Sequence, residues 1–131
     1  RAMLTELTRE VIRIAEKQNT TLESFDPFDP SGFTQDADQA AADSMFEIIY
    51  EHRKGSAKKH SGMWRDIAVR KRKTELDALL LPVLATGKKI GVDMPLNTLL
   101  AELIRDLESG QRQQGWENFD LLQSSMTGAT V

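Results

Sequence analysis

The sequence predicts an all-α fold, a helical bundle of four to five helices, and three observations carry that prediction. Apolar residues recur at three- and four-residue intervals in several separate windows. No stretch alternates with the two-residue period of a half-buried strand. At 131 residues, 40% hydrophobic and 28% charged, the chain fits one globular domain with no internal repeat.

Leu4, Leu7, Val11 and Ile14 recur at helical spacing with Ala15 beside them, which predicts an amphipathic helix over residues 3–18. Asp26-Pro27-Phe28-Asp29-Pro30-Ser31-Gly32 reads as a stiff turn, because each proline fixes φ and discourages helix in the residue before it. Phe25, Phe28 and Phe33 are expected to pin this loop to the body. A second helix is expected over residues 36–53, burying Ala41, Met45, Ile48, Ile49 and His52. Residues 55–73 keep no period over any length, so an irregular connection with at most a short turn of helix is expected.

Thr74-Glu75-Leu76-Asp77 has the form of a capping box, with Thr74 as N-cap and Asp77 reaching back. The helix it opens should run through Leu76, Leu79, Leu80, Val83, Leu84 and Ile90 to Gly91, bent at Pro82. The next helix begins around residues 93–97, with Pro95 in its first turn, and stops at Gly110. Leu99, Leu100, Leu103, Ile104 and Leu107 form its apolar face. Residues 116–122 predict a short last helix, so the domain is expected over 1–123 and a flexible tail over 124–131.

Composition removes several function classes. With no cysteine, disulfides, thiolate nucleophiles and cysteine-based zinc sites are excluded. His52 and His60 stand eight residues apart with no acidic pair between them, so no metal is expected. The longest apolar run, residues 78–85, is far short of the ~20 residues a membrane span needs. The glycines form neither a dinucleotide fingerprint nor a phosphate loop, and Ser61 lacks the glycine-flanked elbow of a hydrolase. Glu6 and Glu10 read as part of a solvated helix face. A chain opening on Arg1 inside a helical pattern, with no leader, reads as a cytoplasmic fragment of something longer.

Charge is distributed unevenly. Net charge is -3, yet residues 53–73 hold nine Lys/Arg and a single acid, Asp66. That imbalance points to an anionic partner for one segment. Within it, His60-Ser61-Gly62-Met63-Trp64-Arg65-Asp66 leads through a basic run into the helix start at Thr74-Glu75. A hydroxyl, a glycine, one acid and several bases beside a helix N-terminus suit an anionic, oxygen-rich small molecule. Each residue also has a structural reading: Glu75 as a first-turn stabiliser, Asp66 as an ion-pair partner of Arg65 or Arg70, Met63 and Trp64 as packing.

Ser61-Gly62-Met63-Trp64-Arg65-Asp66, the basic stretch, Thr74-Glu75-Leu76-Asp77 and Gly91-Val92-Asp93-Met94-Pro95-Leu96-Asn97 together resemble the C-terminal domain of the ketopantoate reductase (2-dehydropantoate 2-reductase) family. The match is close over residues 60–110 and loose over 1–59. The resemblance implies an all-helical domain like the 6-phosphogluconate dehydrogenase C-terminal domain. It implies an N-terminal Rossmann domain, missing from this chain, that binds NADPH, and a 2-keto acid reduced to a 2-hydroxy acid. It assigns Glu75 a catalytic place beside the general-acid lysine, which would precede Arg1, and gives Ser61 and Asp66 to the substrate. The family's Ser-Ser pair is Ser61-Gly62 here, and the interval from Asp66 to Glu75 is one residue longer than usual. A related reductase with another keto acid, or an inactive homologue, carries the same features. The apolar helix faces are compatible with a homodimer. From a different class, a nucleic-acid-binding module using residues 53–73 is weighed against a sequence pI of about 5.4 and cations not gathered on one helix face; salt-dependent binding would reveal it.

Overall fold

The structure is a computed structural model that describes residues 1–128. Among them there are helices, turns and one isolated bridge between Phe25 and Phe28, and no β-strand. No helix is long and apolar enough to cross a membrane.

Helix α1 (Ala2–Lys17) is the element around which α2 (Gln39–Lys54), α5 (Leu81–Ile90), α6 (Pro95–Ser109) and α7 (Trp116–Met126) are packed. It carries apolar residues on more than one side, and each side meets a different neighbour. Met3 and Leu7 join Leu96, Leu99, Leu100, Leu103, Leu122 and Met126, a cluster shared with α6 and α7. Further along, Ile12 joins Phe33, Ala42 and Met45, flanked by Phe28, Phe46 and Ile49, a cluster shared with α2 and the 3₁₀ turn Pro30–Phe33. The expected face of α1 is therefore incomplete. Leu4 and Val11 are exposed, while Met3, Thr5, Glu10 and Ile12 are buried, because a central helix has no single solvent side.

Glu10 corrects the reading of a solvated acid most sharply, being 2% exposed. Its Oε1 accepts from Leu96 N at 2.9 Å, and its Oε2 from Asn97 N at 2.9 Å and Asn97 Nδ2 at 2.7 Å. Helix α6 has no side-chain cap of its own at Met94. Glu10 supplies that cap from another helix, satisfying N–H groups that a helix start leaves without partners.

In the aromatic loop, Phe28 stacks on Phe33 at 5.7 Å and Phe33 meets Phe46 edge-on at 5.4 Å. Phe33 is buried as expected, whereas Phe25 stays 67% exposed. Helix α2 starts one turn later than expected, where Asp38 Oδ1 accepts from Ala41 N at 2.9 Å. Its inner face is Ala42, Met45, Phe46 and Ile49, so Ile48 and His52 point to solvent. The bend expected at Pro82 is a break: α4 (Leu76–Leu79) ends at Leu80 and α5 begins at Leu81. Helix α5 closes at Gly91 with φ 76°, a left-handed backbone that glycine adopts without a Cβ clash. Helix α7 runs past residue 124 to Met126, and Met126 packs on the first cluster. The remainder of the expected tail, residues 129–131, lies outside the described residues.

Candidate functional site

Ser61 opens the segment of interest as a helix N-cap: its Oγ accepts from Trp64 N at 3.1 Å. Helix α3 (Gly62–Arg65) continues into a π turn, Asp66–Arg70, and Lys71 ends it in the left-handed conformation, φ 53° and ψ 47°. The expectation of an irregular 55–73 is thus corrected for residues 62–70, which form a helical arm. A serine cap and an i,i+4 ion pair stabilise it locally, and neither shows up as apolar periodicity. The ring of His60 stacks on Trp64 at 3.8 Å, extending the arm toward the exposed residues 51–60.

Asp66 is the buried acid of this arm, 5% exposed. Its Oδ1 accepts from Arg70 Nη1 at 2.9 Å and Arg72 Nε at 2.8 Å. These guanidinium hydrogen bonds, Arg70 first, hold its carboxyl below the usual carboxylate range, and burial opposes them only in part. Arg72 N also donates to Asp66 O at 3.0 Å, which closes the turn.

Glu75 sits beyond that turn, at the N-cap of α4. Its neighbours are fixed on both sides. Thr74 donates to Glu108 Oε1 through its backbone N–H at 2.7 Å and its hydroxyl at 2.6 Å. Leu76 is 1% exposed, and its N–H donates to Thr74 Oγ1 at 3.2 Å. The capping box is therefore only partly formed, since Asp77 turns to Arg105 Nη2 at 3.6 Å instead of reaching back. Glu75 is exposed; its backbone O accepts from Ala78 N at 3.1 Å and Leu79 N at 3.0 Å, while its carboxylate makes no hydrogen bond or ion pair with any described residue. It is a free carboxylate on a rigid mount.

Ser61 and Asp66 thus share one arm, and Glu75 follows across the turn at residues 71–74. None of the three lines the open groove of about 560 Å³ between the arm and the end of α6. Nor do they line the smaller one of about 300 Å³ beside Lys73 and Arg105. The surrounding charge is strongly positive. Among the described residues Arg53, Lys58, Lys59, Arg65, Lys71 and Lys73 make no ion pair. The one acid of the segment already engages Arg70 and Arg72 through Oδ1. Pairing of Asp66 with Arg70 was readable from the i,i+4 spacing; the contributions of Arg72 and Glu108 come from a turn and a distant helix, and no local signal announces them.

The family model described as ketopantoate reductase PanE/ApbA C terminal matches residues 1–108, most of the chain. No curated protein and no solved structure matches it.

Proposed function

The chain belongs to the ketopantoate reductase C-terminal family, and on that premise we propose that it is the substrate-facing helical domain of an NADPH-dependent 2-keto acid reductase. The substrate is ketopantoate and the product pantoate, the reduction used in pantothenate biosynthesis. The observation that carries this reading, beside the family match, is the free carboxylate of Glu75 on its rigid mount.

The residues described here contain no strand and no glycine-rich phosphate loop, so they do not form a dinucleotide site. NADPH accordingly belongs to an N-terminal Rossmann domain of the same polypeptide, and when bound it supplies the hydride. Glu75 contributes a fixed negative charge that orients and stabilises a cationic proton donor and accepts a hydrogen bond from the substrate hydroxyl as it forms. Ser61 Oγ already accepts from Trp64 N, which leaves its own hydrogen to donate to a substrate carboxylate. Asp66, with Oδ1 taken up by two guanidiniums, acts as a positioning residue: it holds Arg70 and Arg72 near the substrate side of the arm.

In the polypeptide that includes the Rossmann domain, Glu75→Gln should lower kcat by roughly 10²- to 10⁴-fold, the range of a lost acid–base group. NADPH affinity should be unchanged. A loss under about threefold would reduce Glu75 to a helix-start residue, since an exposed cap is worth only about 1 kcal/mol of stability.

A further inference from the structure

Glu75 stands at a corner held mainly from outside its own segment. Lys71, Arg72 and Lys73 before it are exposed, and of the four residues of α4 after it only Leu76 is buried. The support comes from the last turn of α6. Glu108 Oε1 accepts from Thr74 N at 2.7 Å and from Thr74 Oγ1 at 2.6 Å, and the same hydroxyl accepts from Leu76 N at 3.2 Å. A hydroxyl can donate and accept at once, so a single carboxylate oxygen ties down the residues on both sides of Glu75. Helix α6 is a firm base for that oxygen, with Leu96, Ala101 and Leu103 buried and its first amides bonded to Glu10.

We infer that Glu108 is a positioning residue for the Glu75 carboxylate and acts through Thr74. This role rests on the reading of Glu75 as the group that orients the proton donor. Glu108 does not serve as an ion-pair partner. Lys71, Arg72, Lys73, Arg105 and Arg112 line the two grooves it borders, and it pairs with none of them. Its charge goes instead to two donors of one residue, as short, charge-assisted hydrogen bonds that fix direction as well as distance. The Glu75 carboxylate has no partner among the described residues, so the backbone that Thr74 and Leu76 hold is what sets its aim. A shift of about 1 Å in a group that must meet a reacting centre can lower the rate roughly 10²-fold.

Steady-state reduction of ketopantoate by the polypeptide that includes the Rossmann domain tests this, together with amide exchange at Thr74 in the 131-residue chain. Glu108→Ala should lower kcat about 10- to 100-fold, the effect of a misplaced group, and leave the KM for NADPH unchanged. Glu108→Gln keeps an acceptor oxygen and should recover most of that loss, because Thr74 needs the acceptor and not the charge. Thr74→Val removes the hydroxyl at nearly constant shape and should act like Glu108→Ala, which keeps the test open if the alanine variant folds poorly. In a Glu75→Gln background, Glu108→Ala should lower kcat less than about twofold further, since residues that act through one group are non-additive. The Thr74 amide should exchange slowly in the wild type and in Glu108→Gln, and fast in Glu108→Ala. A wild type that does not reduce ketopantoate, or a Glu75→Gln loss under about threefold, would overturn the role of Glu75 and that of Glu108 with it. With a large loss in Glu75→Gln, three results would overturn the role of Glu108 alone: Glu108→Ala and Thr74→Val near wild type, the same Glu108→Ala loss in both backgrounds, or a Thr74 amide that already exchanges fast in the wild type.

Discussion

Glu10 lies in the interior because α6 begins there. Pro95 supplies no N–H, and the next two backbone donors, on Leu96 and Asn97, point at the Glu10 carboxylate. Asn97 Nδ2 joins them and also donates to Leu7 O at 2.9 Å, tying α1 and α6 together. Glu10→Ala would leave these donors buried without acceptors and should cost about 3 kcal/mol or more, the sum of the desolvation penalties. Urea titration against wild type checks this, and a loss below about 0.5 kcal/mol, the size of an ordinary surface change, would refute the trans cap. The residue was legible in one respect only. It falls in step with Met3, Leu7 and Ile14 at three- and four-residue intervals, so a carboxylate stood on an apolar stripe. Its reading as solvated followed from charge alone. What the sequence could not supply was the partner, 86 residues away along the chain.

At the scale of elements, the arm over residues 62–70 runs from the Ser61 cap through Asp66 to the groove beside the end of α6. Its π turn takes one residue more per hydrogen bond than an α turn. The helices α1, α2, α6 and α7 were legible because apolar periodicity and terminal Gly or Pro signals agree in them. The arm was not, because its stability comes from the Ser61 cap and the Asp66 pairs instead of an apolar stripe. Asp66 makes the arm sensitive to acid in a stated direction. Its folded pKa is depressed below the ordinary value of about 3.9. Its contribution is therefore fully present above about pH 4 and is lost as pH falls through the lower, folded value. Trp64 fluorescence in a Trp116→Phe background should change over that acid window and report the arm opening. Asp66→Asn should already show the opened signal at neutral pH and lack that step. An unaltered acid titration in Asp66→Asn would mean that the guanidinium clamp does not hold the arm.

The molecule as a whole is two apolar clusters spanned by one helix, with a charged arm carried outside them. Bundle architecture was readable from periodicity, but the division of the core was not, because it depends on which side of α1 each later helix covers. Since Met3 and Leu7 belong to one cluster and Ile12 to the other, damage to either should be felt along all of α1. Leu103→Ala, in the cluster with α6 and α7, and Phe33→Ala, in the cluster with α2, should each cost about 3–5 kcal/mol through transfer and cavity terms. In both variants, native-state hydrogen exchange should speed up across the amides of α1 together with those of the opposite cluster, as one cooperative unit. Residues 55–61, exposed and between α2 and α3, should exchange quickly in the wild type and be unaffected, because their opening does not require α1 to move. If Phe33→Ala instead frees α2 alone while α6 and α7 keep wild-type protection, the clusters fold independently and α1 is a tether between them. A single cooperative body is what the proposed chemistry needs, since Glu75 can face a substrate held by another domain only if Thr74, Glu108 and Leu76 keep their places when the arm moves.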